Sequence, residues 1–139
     1  MIWKLDPECL WSDQHSASDY IINAGVKAVF CVADNCDICP TQYPLPFFRF
    51  PYADNVRLSE GQIGVPLKMM LTATGMGVTP IVVLCRAGLS RSVAFAALWF
   101  SYRRGIEFQE AVRRIREIRP GAFPHQLMID QMDEYRRTH

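Results

Sequence analysis

Apolar residues in this chain cluster in short runs that are rich in β-branched and aromatic side chains. Three runs stand out: VKAVFCV (26–32), FFRFPY (47–52) and IVVLC (81–85). Each is bounded by glycine, proline, asparagine or aspartate, the residues that commonly flank strands. The pattern therefore predicts three β-strands, and the last is apolar at every position, as a buried strand would be.

Longer segments between and after these runs have helical character. Residues 92–104 are mostly apolar, and Gly105 stands where a helix carboxyl-terminal cap is expected. Residues 59–74 can form a helix that ends near Gly75. A weaker helix is predicted over 125–137, with three candidates for core residues: Leu127, Met128 and Tyr135.

The most regular helical pattern lies in residues 107–118. Acidic residues occupy its first turn, and Pro120 follows its end. Val112, Ile115 and Ile118 are spaced so that they fall on one face. We expect all three of these side chains to be buried.

Strands that alternate with helices indicate an α/β layer architecture. We predict a central, mostly parallel sheet flanked by helices. The chain has 139 residues, half of them hydrophobic, which suits one domain with an ordinary core. No linker-like segment divides it, so residues 1–139 are predicted to form a single domain.

Several classes of protein are disfavoured by the composition. The first ten residues contain Asp6 and Glu8 and lack the apolar run of a signal peptide, and the longest apolar segment (79–100) is broken by two arginines. Five cysteines without a secretory signal predict reduced thiols in a cytoplasmic protein. Cys36 and Cys39 could belong to a zinc or redox site, but no second cysteine pair or histidine pair accompanies them.

Charge is divided unevenly along the chain, although the net charge is only +1. Residues 1–83 contain five basic and eight acidic residues, a net charge of −3. Residues 84–139 contain ten arginines and six acidic residues, a net charge of +4. A positive field over the second half would favour anionic substrates. Solvated helix faces that carry arginine would produce the same asymmetry.

The segment VLCRAGLSRS (83–92) has the features of an anion-binding site. An apolar strand ends at Cys85, a loop follows, and a helix begins after Arg91. The loop amides can converge on one point because Gly88 permits a positive φ, and the helix adds the positive end of its dipole. Arg91 can donate two hydrogen bonds to phosphate oxygens. We therefore expect Cys85 to ionise readily and to act as a nucleophile.

This segment resembles the signature loop of the dual-specificity protein tyrosine phosphatases, C-x-x-G-x-S-R-S. Five residues separate Cys85 from Arg91, whereas the similar loop of rhodanese-type sulfurtransferases encloses four. The extra residue makes a ring wide enough for tetrahedral phosphate. Low-molecular-weight tyrosine phosphatases also enclose five residues, but their loop lies near the amino terminus. The resemblance extends loosely over the whole chain and implies a dual-specificity phosphatase-like fold.

The resemblance implies a role for each residue of the segment. Cys85 corresponds to the nucleophile, Arg91 to the phosphate clamp, and Ser92 to the hydroxyl that hydrogen-bonds the leaving thiolate. An alternative role for Ser92 is to cap the helix amino terminus. Ser90 is expected to shape the loop. The residues expected to bind the substrate phosphate are Arg86, Ala87, Gly88, Leu89, Ser90 and Arg91.

An upstream aspartate matches the position of the family's general acid. In this family the acid follows a strand and lies about thirty residues before the cysteine; Asp54 lies 31 residues before Cys85. It would protonate the leaving oxygen and then activate water as a carboxylate. An ordinary turn aspartate is the alternative interpretation. Asp34 and Asp37 are weaker candidates because they follow an earlier strand.

One position departs from the family pattern. The family usually has histidine immediately before the nucleophile, where this chain has Leu84. That histidine helps to fix the loop and to favour the thiolate, so the change bears on catalytic efficiency. Downstream, His125 or Gln126 could orient water, although a structural role is the preferred interpretation.

The resemblance implies a phosphatase that hydrolyses phosphate monoesters through a phosphocysteine intermediate, without metal or cofactor. A phosphorylated protein or peptide is the expected substrate, with phosphotyrosine first and phosphoserine or phosphothreonine after it. A phosphoinositide or an RNA 5′-triphosphate is an alternative substrate, and a phosphate-binding module with little or no turnover is an alternative function. We expect a monomer, with no nucleic-acid or membrane partner.

Overall fold

Five strands and four helices lie in residues 2–13, 23–35 and 45–139, the parts of the chain that the computed structural model describes. The strands are Ile2–Asp6 (β1), Cys9–Asp13 (β2), Ala28–Cys31 (β3), Phe47–Arg49 (β4) and Ile81–Cys85 (β5). The helices are Glu60–Gly75 (α1), Arg91–Arg104 (α2), Phe108–Ile118 (α3) and Gln126–Thr138 (α4).

The strands form one sheet in the order β1-β2-β5-β3-β4. Strand β1 is antiparallel to β2, whereas the pairings of β2 with β5, β5 with β3, and β3 with β4 are all parallel. The predicted α/β class and mostly parallel sheet are confirmed. Because parallel strands share one direction, the carboxyl ends of β2, β3, β4 and β5 lie along the same edge of the sheet.

Strand β5 is the centre of this sheet. All five of its side chains are buried, as its uninterrupted apolar sequence predicts. It pairs with β2 on one edge and with β3 on the other, which places Cys85 opposite Asp13 and Leu84 opposite Cys31. Helix α2 packs against it. These neighbours fix the position of Cys85 at the end of β5.

Strands β1 and β2 were not predicted from the sequence. They form a hairpin around Pro7 and Glu8, and the acidic residues near this turn weaken the strand signal. The structure shows why the acids are tolerated: Asp6 and Glu8 form ion pairs of 2.7 and 2.9 Å with arginines at the end of α2. The hydrogen bond from Arg103 holds the pKa of Glu8 below its ordinary value.

The three predicted strands are all present: β5 has its predicted bounds, whereas the other two are shorter than expected. Strand β3 covers Ala28–Cys31 of the predicted 26–32, and β4 covers Phe47–Arg49 of the predicted 47–52. Strand β4 ends early because Pro51 has no amide to donate, and because the Tyr52 amide donates to the Phe50 carbonyl at 2.8 Å. The chain thus turns away from the sheet before residue 54.

The four predicted helices are all observed, and α2 ends as predicted. Gly105 has a left-handed conformation, with φ 65°, and its amide donates to the carbonyl of Ser101. Helix α1 begins with a capping box between Ser59 and Gln62. No helix in the described part of the chain is long and apolar enough to cross a membrane.

Burial of the predicted core faces is confirmed with two exceptions. Val112 and Ile115 are almost fully buried, whereas Ile118 is 42% exposed, so the prediction for Ile118 is wrong. Ile118 is the last residue of α3, where the chain leaves the core before Pro120. On α4, Met128 and Tyr135 are buried and Leu127 is only partly buried.

Ile115→Ala should lower the free energy of unfolding by about 2–5 kcal/mol, because it leaves a cavity in the core. Ile118→Ala makes the same truncation on the same helix and should cost about 1 kcal/mol or less, because that side chain is largely exposed. Urea unfolding of both variants measures the difference. Equal losses would contradict the assigned face of α3.

Candidate active site at the carboxyl end of strand β5

Cys85 is the last residue of β5, and only 2% of it is exposed. Its Sγ lies 3.2 Å from the Oγ of Ser92, in the first turn of α2. Helix α2 begins at Arg91, with Ser90 in the cap position, so the alternative that Ser92 caps the helix is wrong. The Ser92 hydroxyl is within reach of the sulfur, as its expected role requires.

A pocket of about 340 Å³ lies over Cys85. It is lined by loop residues between β5 and α2, by Asp54, and by two residues that precede α4, Phe123 and His125. Cys85 and Arg91 are buried residues of this lining, and Arg91 is the first residue of α2. The unpaired amides and the dipole of a helix amino terminus attract anions.

Arg91 is held in place by two acceptors. Its Nη1 donates hydrogen bonds to Asp34 Oδ1 at 2.9 Å and to the carbonyl oxygen of Tyr52 at 2.8 Å. Its Nε is buried and has no acceptor among the described residues. A buried guanidinium with an unused donor at an anion pocket is suited to an oxyanion. Asp34 thus binds Arg91 and is poorly placed to act as the acid.

Asp54 lines the pocket, two residues after Tyr52, whose carbonyl oxygen accepts a hydrogen bond from Arg91. Its Oδ1 accepts hydrogen bonds from the Oγ of Ser90 at 2.8 Å and from the amide of Asn55 at 2.9 Å. Its Oδ2 lies 3.3 Å from Nε2 of His125. The structure therefore brings Asp54 to the pocket with Cys85 and Arg91, as the sequence predicts. The hydroxyl of Ser90 connects the loop to Asp54.

The sequence did not predict that Phe123 and His125 line the pocket. His125 was expected to have a structural role, yet it lies at the pocket mouth against Asp54 with 54% of its side chain exposed. Phe123 is 64% exposed, and Arg116 lies over its ring at 5.2 Å. The Pro-containing turn that carries both residues was visible in the sequence, but nothing in its pattern indicated which side chains face Cys85. Gln126 hydrogen-bonds Asp130 within α4, away from this pocket.

Leu84 is fully buried beneath the loop. It pairs with Ser12 on one side and Cys31 on the other. Its side chain cannot donate a hydrogen bond, so the loop must be held in place by other contacts.

Gly88 is a tightly packed residue of the loop. Its φ is +68°, a conformation that residues with a Cβ rarely adopt. A Cβ at this position would lie 3.0 Å from the amide nitrogen of Asp13, 3.1 Å from the carbonyl carbon of Ser12 and 3.1 Å from the ring of Trp3. The loop is therefore in direct contact with the β1–β2 hairpin.

No group of three metal-binding side chains occurs in residues 2–13, 23–35 or 45–139. Cys36 and Cys39, the cysteines considered for zinc, lie outside the described residues, as does Asp37. Cys9 and Cys31 are both buried, and burial raises the pKa of Cys9 well above its ordinary value.

Comparison with known structures identifies the fold. The chain has the fold of the dual-specificity phosphatases, so the resemblance of the loop extends to the whole architecture. Human DUSP28 is 20% identical, with a TM-score of 0.87 over 99% of this chain and 93% of DUSP28. A mouse putative dual specificity phosphatase, solved with zinc tungstate, is 21% identical, with a TM-score of 0.86 over 99% of this chain and 87% of its own.

A third similar structure has a different type of ligand. PTPMT1 in complex with PI(5)P is 15% identical, with a TM-score of 0.81 over 99% of this chain and 95% of PTPMT1. No protein-family model matches the chain, and no curated protein matches it at a significant level of sequence similarity. The structural matches thus establish the fold, and the chemistry has to be argued from the site.

Gly88→Ala should lower the free energy of unfolding more than Gly105→Ala. Both glycines have nearly the same positive φ, which costs about 1–2 kcal/mol for alanine. Only Gly88 is crowded, whereas nothing lies within 4 Å of a Cβ at Gly105. The difference between the two variants in urea unfolding therefore isolates the packing of the loop against β2. Identical losses would show that the loop has room to move.

Proposed function

We propose that the chain is a cysteine-dependent phosphatase that hydrolyses phosphate monoesters through a phosphocysteine intermediate. The observation that carries the proposal is the convergence of Cys85, Arg91 and Asp54 on one pocket at the amino terminus of α2. Asp54 comes from a separate part of the chain, 31 residues before Cys85. The three side chains supply a nucleophile, an oxyanion clamp and a proton donor.

In the first displacement the thiolate of Cys85 attacks phosphorus and forms an S–P bond. The bond from phosphorus to the ester oxygen breaks, and Asp54 gives its proton to that oxygen, so the alcohol or phenol leaves neutral. Arg91 binds the phosphoryl oxygens through the nitrogens that Asp34 and Tyr52 leave unused. The loop amides and the dipole of α2 stabilise the same charge.

In the second displacement a water molecule attacks the phosphocysteine. Asp54, now a carboxylate, accepts a proton from this water, and the S–P bond breaks to release inorganic phosphate. Ser92 donates a hydrogen bond to the departing thiolate, since its Oγ lies 3.2 Å from Sγ. Ser90 and His125 hold the two oxygens of Asp54 in position for both steps.

The proposed substrates are phosphorylated proteins or peptides, with phosphotyrosine favoured. Phe123 offers an exposed aromatic face at the pocket, which suits contact with a phenolic ring. Phosphoserine and phosphothreonine are further proposed substrates. Only Arg86 is basic among the five residues between Cys85 and Arg91, which argues against a highly charged substrate such as an inositol phosphate or RNA 5′-triphosphate. We further propose a cytoplasmic monomer.

A phosphate-binding module without turnover is the second candidate. The observation in its favour is Leu84, which is buried and cannot hydrogen-bond the loop where the family usually has histidine. Hydrolysis of an aryl phosphate by the purified protein separates the two candidates. Phosphopeptides, phosphoinositides and triphosphorylated RNA then rank the substrates, and equal rates on all of them would contradict a protein substrate.

Cys85→Ser should abolish turnover of an aryl phosphate while oxyanion binding persists, because Arg91 and the loop amides remain. Arg91→Lys should lower kcat/KM by about 10²–10³. The ammonium group of lysine cannot contact Asp34 and bind two phosphoryl oxygens at once, as the planar guanidinium can. Steady-state kinetics and calorimetric titration with tungstate measure the two effects. Substantial hydrolysis by the Cys85→Ser variant would exclude the phosphocysteine mechanism.

Asp54→Asn should lower kcat by about 10²–10⁴ for a phosphotyrosine peptide, the usual size of acid catalysis. The loss should be much smaller for a nitrophenyl phosphate, because nitrophenolate leaves without a proton.

Asp34→Asn is the matched control for this prediction. It removes a carboxylate that contacts Arg91, so it should weaken turnover of both substrates by similar factors. If Asp34→Asn shows the dependence on leaving group and Asp54→Asn does not, the assignment of the acid is wrong.

A further inference from the structure

Arg119 contacts the loop at Gly88, and neither residue lines the pocket. It follows the last residue of α3, in an extended conformation, with its amide bonded to the Ile115 carbonyl at 2.9 Å. Its Nη1 donates a hydrogen bond of 2.8 Å to the carbonyl oxygen of Gly88. The sequence pattern gave this arginine no role beyond the end of the helix.

The guanidinium of Arg119 is fixed by an aromatic stack. Its Cζ lies 3.7 Å from the centre of the Trp3 ring, and Trp3 stacks on Trp11 with 5.6 Å between ring centres. Desolvation lowers the pKa of Arg119, while the charges of Asp13 and Cys85 act in the opposite direction. Arginine remains a cation at neutral pH under such conditions. The contact to Gly88 is therefore a charge-assisted hydrogen bond from a rigid donor.

The hydrogen bond fixes the orientation of one peptide group. The bond between Gly88 and Leu89 is a planar trans peptide, so its C=O and its N–H point in opposite directions. Because the Gly88 carbonyl is directed at Arg119, the Leu89 amide is directed to the other side. The pocket lies there: Ala87 and Leu89 line it, and Gly88 does not.

We propose that Arg119 is a positioning residue that holds the Gly88–Leu89 peptide with the Leu89 amide facing the bound oxyanion. The contact of Gly88 with Trp3 and the end of β2 limits movement of this peptide, and Arg119 selects its orientation. Buried Leu84 provides no hydrogen bond to do this. The inference rests on the proposed function, because it assumes that the loop binds an oxyanion.

Tungstate binding by the Cys85→Ser protein tests the proposal without catalysis. Arg119→Met keeps an apolar side chain over Trp3 but has no donor, and should raise the Kd for tungstate about tenfold or more. Arg119→Lys restores a donor that can reach the carbonyl, and should stay within about threefold of the parent. Equal weakening by methionine and lysine would overturn the hydrogen-bonding role.

A matched variant separates peptide orientation from simple loss of charge. Arg113→Met removes one positive charge from α3, six residues before Arg119. Arg113 is exposed and is paired with Glu110 and Glu117. It should leave the Kd unchanged. The ratio of Kd values between Arg119→Met and the parent should also persist at 1 M salt, where the Debye length falls to about 3 Å. If the two Kd values become equal at 1 M salt, the effect of Arg119→Met comes from the lost positive charge, and the proposed role in peptide orientation is overturned.

An amide resonance tests the orientation directly and requires no change at Arg119. On titration of the Cys85→Ser protein with tungstate, the Leu89 amide proton should move downfield as it donates to the anion. A Leu89 resonance that stays in place while its loop neighbours shift would overturn the proposal, even if Arg119→Met does not fold. Failure of the parent to bind tungstate would overturn the proposed function as well, whereas equal binding by the parent and a folded Arg119→Met would overturn only the role of Arg119.

Discussion

Strand β5 is hydrogen-bonded along both edges, and the positions of Cys85 and of the loop that leads to α2 depend on where this strand ends. A strand in the middle of a parallel sheet has no freedom to shift its register, because a shift by one residue would move its side chains to the other face. The last residue of β5 is Cys85, and helix α2 begins six residues later. The short connection keeps the loop close to Cys85, so the fold itself positions the proposed anion site.

The parallel neighbours of β5 explain the placement of the acidic residues. Strands β2, β3 and β4 end on the same edge as β5, and Asp13, Asp34 and Asp54 lie at or after these ends. Binding sites in open α/β sheets occur at this edge for the same reason. The structure gives the last two of these acids different partners: Asp34 contacts the guanidinium of Arg91, and Asp54 contacts Ser90 and His125. One carboxylate therefore fixes Arg91, the proposed phosphate clamp, while the other is the proposed proton donor.

The sequence predicted the parts of this structure that have local signals. Strand β5 and the four helices have strong periodicity or caps, and the motif that contains Cys85 and Arg91 lies within one short segment. The β1–β2 hairpin was missed because its acids pair with arginines at the end of α2, almost a hundred residues away. Ile118 was misassigned because a helical stripe does not reveal where the helix leaves the core. The contacts of Arg91 with Asp34 and of Arg119 with Gly88 depend on distant elements, so no local pattern could predict them.

The β1–β2 hairpin helps to explain how the loop is held in place although residue 84 is leucine. An apolar residue before the nucleophile is well accommodated in the buried strand, but it leaves the loop without a hydrogen bond from below. The structure provides contacts from other directions: backbone atoms of β2 lie against Gly88, Trp3 covers its outer face, and Arg119 binds its carbonyl oxygen. Contacts from outside the loop can restrict its peptide groups, as a hydrogen-bond donor beneath the loop would. The contacts at Gly88 thus explain how the proposed anion-binding loop is held in place above a buried leucine at position 84.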